Sequence, residues 1–314
     1  MRVLVLNAGS SSLKTSLVEE PGDRTLSHAE LRGPAQAGWT DALRSALAGA
    51  GRVEAVGHRV VHGGRHTAPL RISDAVVADL DELRDLAPLH NGPALEVIAA
   101  ARAVFPAVPQ VACFDTAFHA TLPRASQIYP LPYAWYVEWG IRRYGFHGLS
   151  VAWSVERAAA VLGRPAADLR LVVAHLGSGC SVTAVDGGRS VDTSMGYTPL
   201  EGLMMGTRAG SIDPGILLEV LDAGHLDLAD LRDALHHGSG LLGVSDVSAD
   251  LRRVQGAAAD GNPRAALALE IFVRRVAAAI GAAATTLPVL DAVVFTGGIG
   301  EHAAEVRAEI CRRL

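Results

Sequence analysis

The stretch LVLNAGSSSLKTSLV, Leu4–Val18, decides how the chain folds. An apolar strand stops at Asn7, a run of small Gly and Ser residues follows, and the strand pattern resumes at Leu13 and Lys14. Far downstream, LVVAHLGSGCSVTAV, Leu171–Val185, repeats the plan of apolar strand, polar residue, small-residue turn and second strand. In that match Asn7 falls under His175, Gly9 under Gly177 and Ser10 under Ser178. An internal repeat of this kind predicts two domains that carry equivalent hairpins. A chain of 314 residues is long enough for two cores, since domains usually run to about 100–200 residues.

Around the hairpins the pattern is mixed α/β. Strands are expected at Val3–Leu6, Leu13–Val18, Val53–Val61, Gln110–Phe114 and Asp291–Thr296. Helices are expected at Thr40–Ala48, Pro93–Phe105, Ser150–Leu162 and Pro263–Thr286, with a last helix after the loop GGIGE. The domain boundary is placed at 149/150, giving 1–149 and 150–314.

Composition narrows the function classes. A net charge of −5 without a basic stripe argues against nucleic acid as a partner. Cys113, Cys180 and Cys311 are scattered with no CxxC spacing, which points to a reducing compartment and to neither a disulfide framework nor a zinc site. The opening apolar run is too short for a signal peptide, and the apolar region near Arg275–Leu290 is interrupted by Gly281 and Pro288, so a buried helix is expected there and not a membrane span. A cytoplasmic protein is expected. Of the 28 basic residues only Lys14 is a lysine, which leaves 27 arginines; a lysine kept in such a background suggests a tight site where a guanidinium would not substitute.

Three small-residue elements sit at strand ends: NAGSSS, HLGSG and TGGIGE. Backbone N–H groups in such turns make anion-binding concavities, and serine hydroxyls can ligate Mg²⁺. Each alone is equally well an ordinary turn; three together imply a nucleotide held between two domains. HRVVHGGRH spaces His58, His62 and His66 evenly, but residues four apart on a strand spread roughly 13 Å, too far to share one ion. Arg59 in that strand needs an anion, either a ligand or an internal carboxylate. Asp115 ends a buried strand, where it suits Mg²⁺ or caps the next segment. His147 lies in the Gly-flanked RRYGFHG, and Arg208 in the middle of GYTPLEGLMMGTRAGSIDPG, an irregular stretch of the kind that often carries function.

In order along the chain, VLNAGSSSLK, HRVVHGG, APLHN, FDTAFH, RRYGFHG, HLGSG, SVDTSMGYTPLEGLMMGTRAGSIDPG, SGLLGVSDVSADLR and VVFTGGIGE resemble acetate kinase, within the wider short-chain carboxylate kinases. The resemblance implies the acetate and sugar kinase/actin superfamily fold: two RNase H-like α/β domains with the active site in the cleft between them. It implies reversible ATP:acetate phosphotransfer by direct in-line attack, with propionate or another short acyl acid as the alternative acceptor; a weakly catalytic nucleotide-binding switch is the alternative class, motivated by the C-terminal segment that the family has and this chain lacks. Asn7, Ser10 and Ser12 would line the Mg²⁺ and phosphate end, with Mn²⁺ an alternative metal and Lys14 supporting the hairpin. Arg59, Arg208, His147, His175 and Asp115 would be catalytic. Val61, Leu89, His90, Phe146 and Pro199, with Arg59, would bind the acceptor. Gly177, Ser178, Gly179, Asp250, Leu251, Arg252, Gly298, Ile299, Gly300 and His302 would hold ATP or ADP. A homodimer is implied as well.

Two positions depart from the family pattern: Ser178 where HLGNG has Asn, and His302 where GIGEN has Asn. The family also continues past VVFTGGIGE through a segment whose Glu helps hold Mg²⁺, so the C-terminal domain is expected to be incomplete in a chain ending at Leu314.

Overall fold

The computed structural model describes residues 1–9, 12–19, 24–32, 38–46, 52–84 and 91–314. They form two compact units, Met1–Phe118 and His119–Leu314. The first runs β1 (Arg2–Ala8), β2 (Ser12–Glu19), β3 (Arg24–Arg32), α1 (Gly38–Ala46), β4 (Ala55–Val60), β5 (Leu70–Arg71), α2 (Asp74–Asp81), α3 (Asn91–Val104) and β6 (Gln110–Phe114). Its sheet has the order β3-β2-β1-β4-β6-β5: an antiparallel meander of three strands onto which β4 and β6 join in parallel.

Period-two alternation sets the two faces of this sheet. Leu4, Leu6 and Ala8 of β1 and Leu13 and Leu17 of β2 are buried together with Leu43 of α1 and Ala94, Val97 and Ala101 of α3. In β4 the same alternation buries Val56, His58 and Val60 and leaves Gly57 and Arg59 on the opposite face. Val60, Phe114, Leu80 and Ile98 form a second buried cluster beside the first.

The second unit contains α4 (Arg124–Gln127), α5 (Tyr133–Trp139), α6 (Gly148–Leu162), β7 (Arg170–Leu176), β8 (Cys180–Asp186), β9 (Arg189–Thr193), α7 (Pro214–Asp222), α8 (Leu228–His237), α9 (Gly240–Ser245), α10 (Leu251–Ala259), α11 (Pro263–Ala284), β10 (Ala292–Thr296), α12 (Gly297–His302) and α13 (Ala304–Arg312). Its sheet order is β10-β7-β8-β9, with β10 parallel to β7 and the other pairs antiparallel. Read as meander plus first parallel strand, β1-β2-β3-β4 and β7-β8-β9-β10 are the same arrangement. Helix α11 starts on Pro263 after an Asn262 cap whose side chain accepts from the N–H groups of Arg264 and Ala265. Its buried stripe, Ala265, Ala268, Phe272, Val276, Ile280 and Ala283, recurs at spacings of three and four.

Several sequence expectations shift. The matched hairpins have turns of different length: Ala8 pairs with Leu13, but Leu176 pairs with Cys180. Past the turn, therefore, Lys14 corresponds to Ser181, and the simple alignment slips by one residue. GGIGEH is not a loop, because α12 starts directly after β10. The division between units falls at 118/119 and not at 149/150. Segment 119–147 is bonded to β9, through His119 Nδ1 to Ser190 Oγ at 2.9 Å, Thr121 Oγ1 to the Ser190 carbonyl at 2.9 Å and Ser126 Oγ to the Val191 carbonyl at 2.9 Å. Strands β3, β5 and β9 are not among the expected strands. For β9 a signal exists: Gly187 and Gly188, at φ 56° and 79°, make the two-residue primed turn that joins hairpin strands. Among the described residues no helix is long and apolar enough to cross a membrane.

His58 carries a pH dependence. It is 2% exposed and shares a hydrogen bond of 2.9 Å with Gln110. Burial lowers its pKa to about 4 from 6.5, against the raising effect of the Gln110 bond. Between those values the folded state binds fewer protons than the unfolded chain, so this contribution to stability is complete above the unfolded pKa and is lost as pH falls towards the folded one. We expect a loss of roughly 3 kcal/mol across that window. Urea unfolding at about pH 7 and about pH 4.5 should show it, with most of the difference absent in His58→Gln.

Candidate active site

In the first unit, register places Asn7 beside Arg59, on parallel strands β1 and β4. Asp115 follows β6, its backbone N–H donating to the Val60 carbonyl at 3.0 Å. The Arg59 guanidinium joins the two: Nε donates to Asp115 Oδ1 at 3.0 Å, Nη2 to Oδ2 at 2.5 Å, and Nη1 to Asn7 Oδ1 at 3.0 Å. The internal salt bridge, one of the two readings of Arg59, is thus present. The Asp115 side chain is 2% exposed and that of Arg59 31%. The Asp115 charge raises the Arg59 pKa against the lowering effect of burial. Val61 is buried next to this cluster. Ser12 Oγ donates to Glu30 at 3.0 Å, and Lys14 is exposed, with Asn7 and Glu30 as its register partners. Ser10, Leu89 and His90 lie outside the described residues.

The histidines of HRVVHGGRH do not converge. His58 bonds Gln110, His62 Nδ1 accepts from the Gly64 N–H at 3.0 Å, and His66 stacks on Phe114 with ring centroids 5.7 Å apart. Among the described residues no three or more His, Cys, Asp and Glu side chains form a metal-holding group.

The second unit assembles a different cluster. His147 precedes α6 in a left-handed conformation, φ 62°. Its Nδ1 shares a 2.9 Å hydrogen bond with Ser181 Oγ, and its ring stacks on His175 at 4.1 Å between centroids. His175 Nδ1 in turn shares a 2.8 Å bond with Ser150 Oγ. Ser181 and Ser150 were not singled out from the sequence. Ser181 is the register partner of His175 across the hairpin, which is the signal that could have found it. Gly179 lies against both remaining groups: a Cβ there would sit 2.7 Å from Arg208 Nη2 and 3.2 Å from His147 Nε2. Arg208 Nη1 donates to the Pro199 carbonyl at 2.6 Å. No Asp or Glu pairs with Arg208 among the described residues, and burial lowers its pKa. Cys180 is no competing nucleophile, since burial pushes its thiol up to about 12.

The stretch around Arg208 is anchored and not a surface loop. Leu203, Met204 and Met205 are buried, and the Gly206 N–H donates to the Ser178 carbonyl at 3.1 Å. Gly177 closes its turn on the Gly179 carbonyl at 3.0 Å, and Ser178 is exposed. Phe146 is buried, and its carbonyl shares a 2.9 Å hydrogen bond with His119 Nε2. Asp250 caps α10 by accepting from the Arg252 N–H and pairs with the Arg252 side chain at 2.6 Å, while Leu251 is buried. Gly298, Ile299 and Gly300 belong to the first turn of α12, which abuts β7: a Cβ at the preceding Gly297 would lie 2.6 Å from the Leu176 carbonyl. His302 is exposed beside Glu301.

These groups lie on strand ends and turns whose order matches a known family. The acetokinase family profile matches residues 39–314. The chain belongs to the acetokinase family. The acetate kinase of Gloeobacter violaceus is 46% identical over 355 residues, with 100% of this chain and 87% of that protein covered. The acetate kinase structure from Porphyromonas gingivalis superposes with a TM-score of 0.90 at 37% identity, covering 99% of this chain and 86% of that one. A propionate kinase structure from Francisella tularensis gives a TM-score of 0.93 at 38% identity, covering 100% and 88%. The chain therefore has the acetokinase fold, an actin-like duplication of RNase H-like α/β units, as the shared strand order of its two sheets also indicates.

The Arg59–Asp115 pair has a measurable consequence. Removing the carboxylate in Asp115→Ala leaves a half-buried guanidinium without its counter-charge. Because Arg59 keeps partial access to solvent, we expect a loss of about 2 kcal/mol, below the range for a fully buried pair. Urea unfolding at neutral pH checks this.

Proposed function

We propose that the chain transfers the γ-phosphoryl group of ATP reversibly to acetate, giving acetyl phosphate and ADP. The observation that carries this reading is Arg208. It is a half-buried guanidinium held by one carbonyl, without a carboxylate among the described residues, set against two stacked imidazoles. A desolvated cation with spare donors is a prepared oxyanion site. In the transfer a carboxylate oxygen forms a bond to the γ-phosphorus as the bond to the β-bridging oxygen breaks. No general base is needed, because a carboxylic acid is already ionised near neutral pH. Two anions must nevertheless approach each other, and positive charge offsets that repulsion. Arg208 neutralises the transferring group, and His147 and His175, oriented through Ser181 and Ser150, line the same side of the site as stacked imidazoles. Arg59, its guanidinium oriented by Asp115 and Asn7, keeps donors free for the acceptor carboxylate.

Mg²⁺ fits the donor set in a limited way. It is commonly bound by one or two carboxylates together with substrate phosphates and water, and Asp115, Asn7 and Ser12 offer one carboxylate and two neutral oxygens. Asp115 and Asn7 both accept from the one Arg59 guanidinium, so these two oxygen donors are grouped. The ion would supply charge neutralisation of the phosphates. We assign the nucleotide to Gly177–Gly179, Asp250–Arg252 and the first turn of α12, on the family resemblance.

The propionate kinase likeness keeps a second acceptor in view, because one methylene is worth only about 1–3 kcal/mol in an apolar pocket. Hydroxylamine trapping of acyl phosphate from ATP, Mg²⁺ and each acid decides the matter. Acetate should give the higher rate; a higher rate with propionate moves the assignment, and no product with either acid, despite ATP binding, rejects it. Arg208→Ala should lower turnover by about 10²–10³-fold while leaving ATP binding in place. Gly179→Ala should lower it about 10–100-fold with an unchanged melting temperature, since the flexible guanidinium can move aside but loses its position.

A further inference from the structure

We propose that Glu201, clamped by Arg143 and Tyr129, is a positioning residue that sets Arg208 and His147 relative to one another for the transfer. This rests on the functional reading above. Arg143 Nη2 donates to Glu201 Oε1 at 2.8 Å, and their side chains are 17% and 32% exposed. The Tyr129 hydroxyl donates to the other oxygen, Oε2, while accepting from the Tyr197 N–H at 2.8 Å. The Arg143 guanidinium also lies 5.2 Å from the Tyr129 ring centroid. Burial raises the Tyr129 pKa, which keeps the phenol protonated as the donor.

The clamp joins the two segments that carry the anion-handling groups. From Arg143, Nη1 reaches the Ser194 and Met195 carbonyls at 3.2 and 3.0 Å, and the next residue, Tyr144, donates its N–H to the Gly196 carbonyl at 3.0 Å. Gly196 is packed so tightly beneath the clamp that a Cβ there would lie 1.7 Å from Glu201 Oε2 and 2.0 Å from the Tyr129 oxygen. Between Gly196 and Glu201 lies Pro199, whose carbonyl is the hydrogen-bond partner of Arg208. In the other direction, four residues past Arg143, lies His147. One carboxylate therefore ties down both the carbonyl that aims Arg208 and the strand of chain that delivers His147. Apolar packing could anchor these segments, since a charge pair is seldom the more stable choice. Two donors converging from different segments onto one carboxylate add what packing lacks, a fixed spacing.

The test uses Glu201→Gln, which keeps size and removes the charge, and Tyr129→Phe as a milder variant should the first fail to fold. Acyl phosphate formation and amide hydrogen exchange are measured on each. We expect turnover to fall about 10–100-fold, as for a catalytic group misplaced by a fraction of an ångström to an ångström, with the KM for ATP within about twofold of the parent. Exchange should quicken in 194–208 and 141–147 and stay unchanged in β7 and β8. Turnover within about twofold of the parent overturns the proposal. So does faster exchange spread through β7 and β8, which would mark Glu201 as a support of the whole unit. If the parent chain itself forms no acyl phosphate, the functional reading fails; the exchange pattern then decides on its own whether Glu201 clamps the two segments.

Discussion

Much of the second unit's arrangement depends on one constraint: a guanidinium kept half-buried without a carboxylate among the described residues. Desolvating a cation is unfavourable, and proteins commonly relieve it with an internal counter-charge. Among the described residues the hydrogen-bond partner of Arg208 is instead the Pro199 carbonyl, and burial lowers its pKa. Such a group persists only where the surroundings over-determine its place. Here they do. The residues before it, Leu203 to Met205, are buried, Gly206 is bonded to Ser178, and Thr207 Oγ1 donates to the His236 carbonyl at 2.7 Å. The irregular stretch is thus anchored on the residues before the half-buried charge, by burial and by two hydrogen bonds.

Arg59 shows the alternative solution. It lies near the end of β4, where its charge is met by Asp115 and its orientation completed by Asn7. A guanidinium has five donors, and the carboxylate and amide bonds leave some unspent. Its counter-charge makes it a weaker attractor of anions than Arg208 and a better-oriented one. A carboxylate acceptor needs orientation, because it carries one charge and must present a single oxygen in line. A phosphoryl group in transfer spreads more charge over more oxygens and gains more from an uncompensated cation.

The sequence disclosed the frame and the chemistry-bearing residues better than their partners. Both hairpins, the strand ending at Asp115 and the long helix Pro263–Ala284 were legible because apolar periodicity and turn residues agree there. Strand β3 was not, because RTLSHAELR is a mostly exposed stretch with no apolar alternation to mark it. The boundary between units was read late because α6 looks like a beginning, whereas the preceding irregular segment is committed to β9 through hydrogen bonds that leave no periodic trace. Glu201, Arg143 and Ser181 stayed invisible as a group for the same reason. A side chain's partner across a register or a turn becomes apparent only once strand pairing is known.

The duplication sharpens what the two hairpins have in common. Asn7 and His175 occupy equivalent places at the ends of β1 and β7, and each lies beside a parallel strand end, at Arg59 in one unit and Thr296 in the other. Across the hairpin their partners are Lys14 and Ser181. The backbone positions are shared and the side chains are not: in the first unit the parallel neighbour β4 carries Arg59 next to its end, and in the second the parallel neighbour β10 leads straight into α12. The same frame, used twice, thus presents different side chains at equivalent backbone positions.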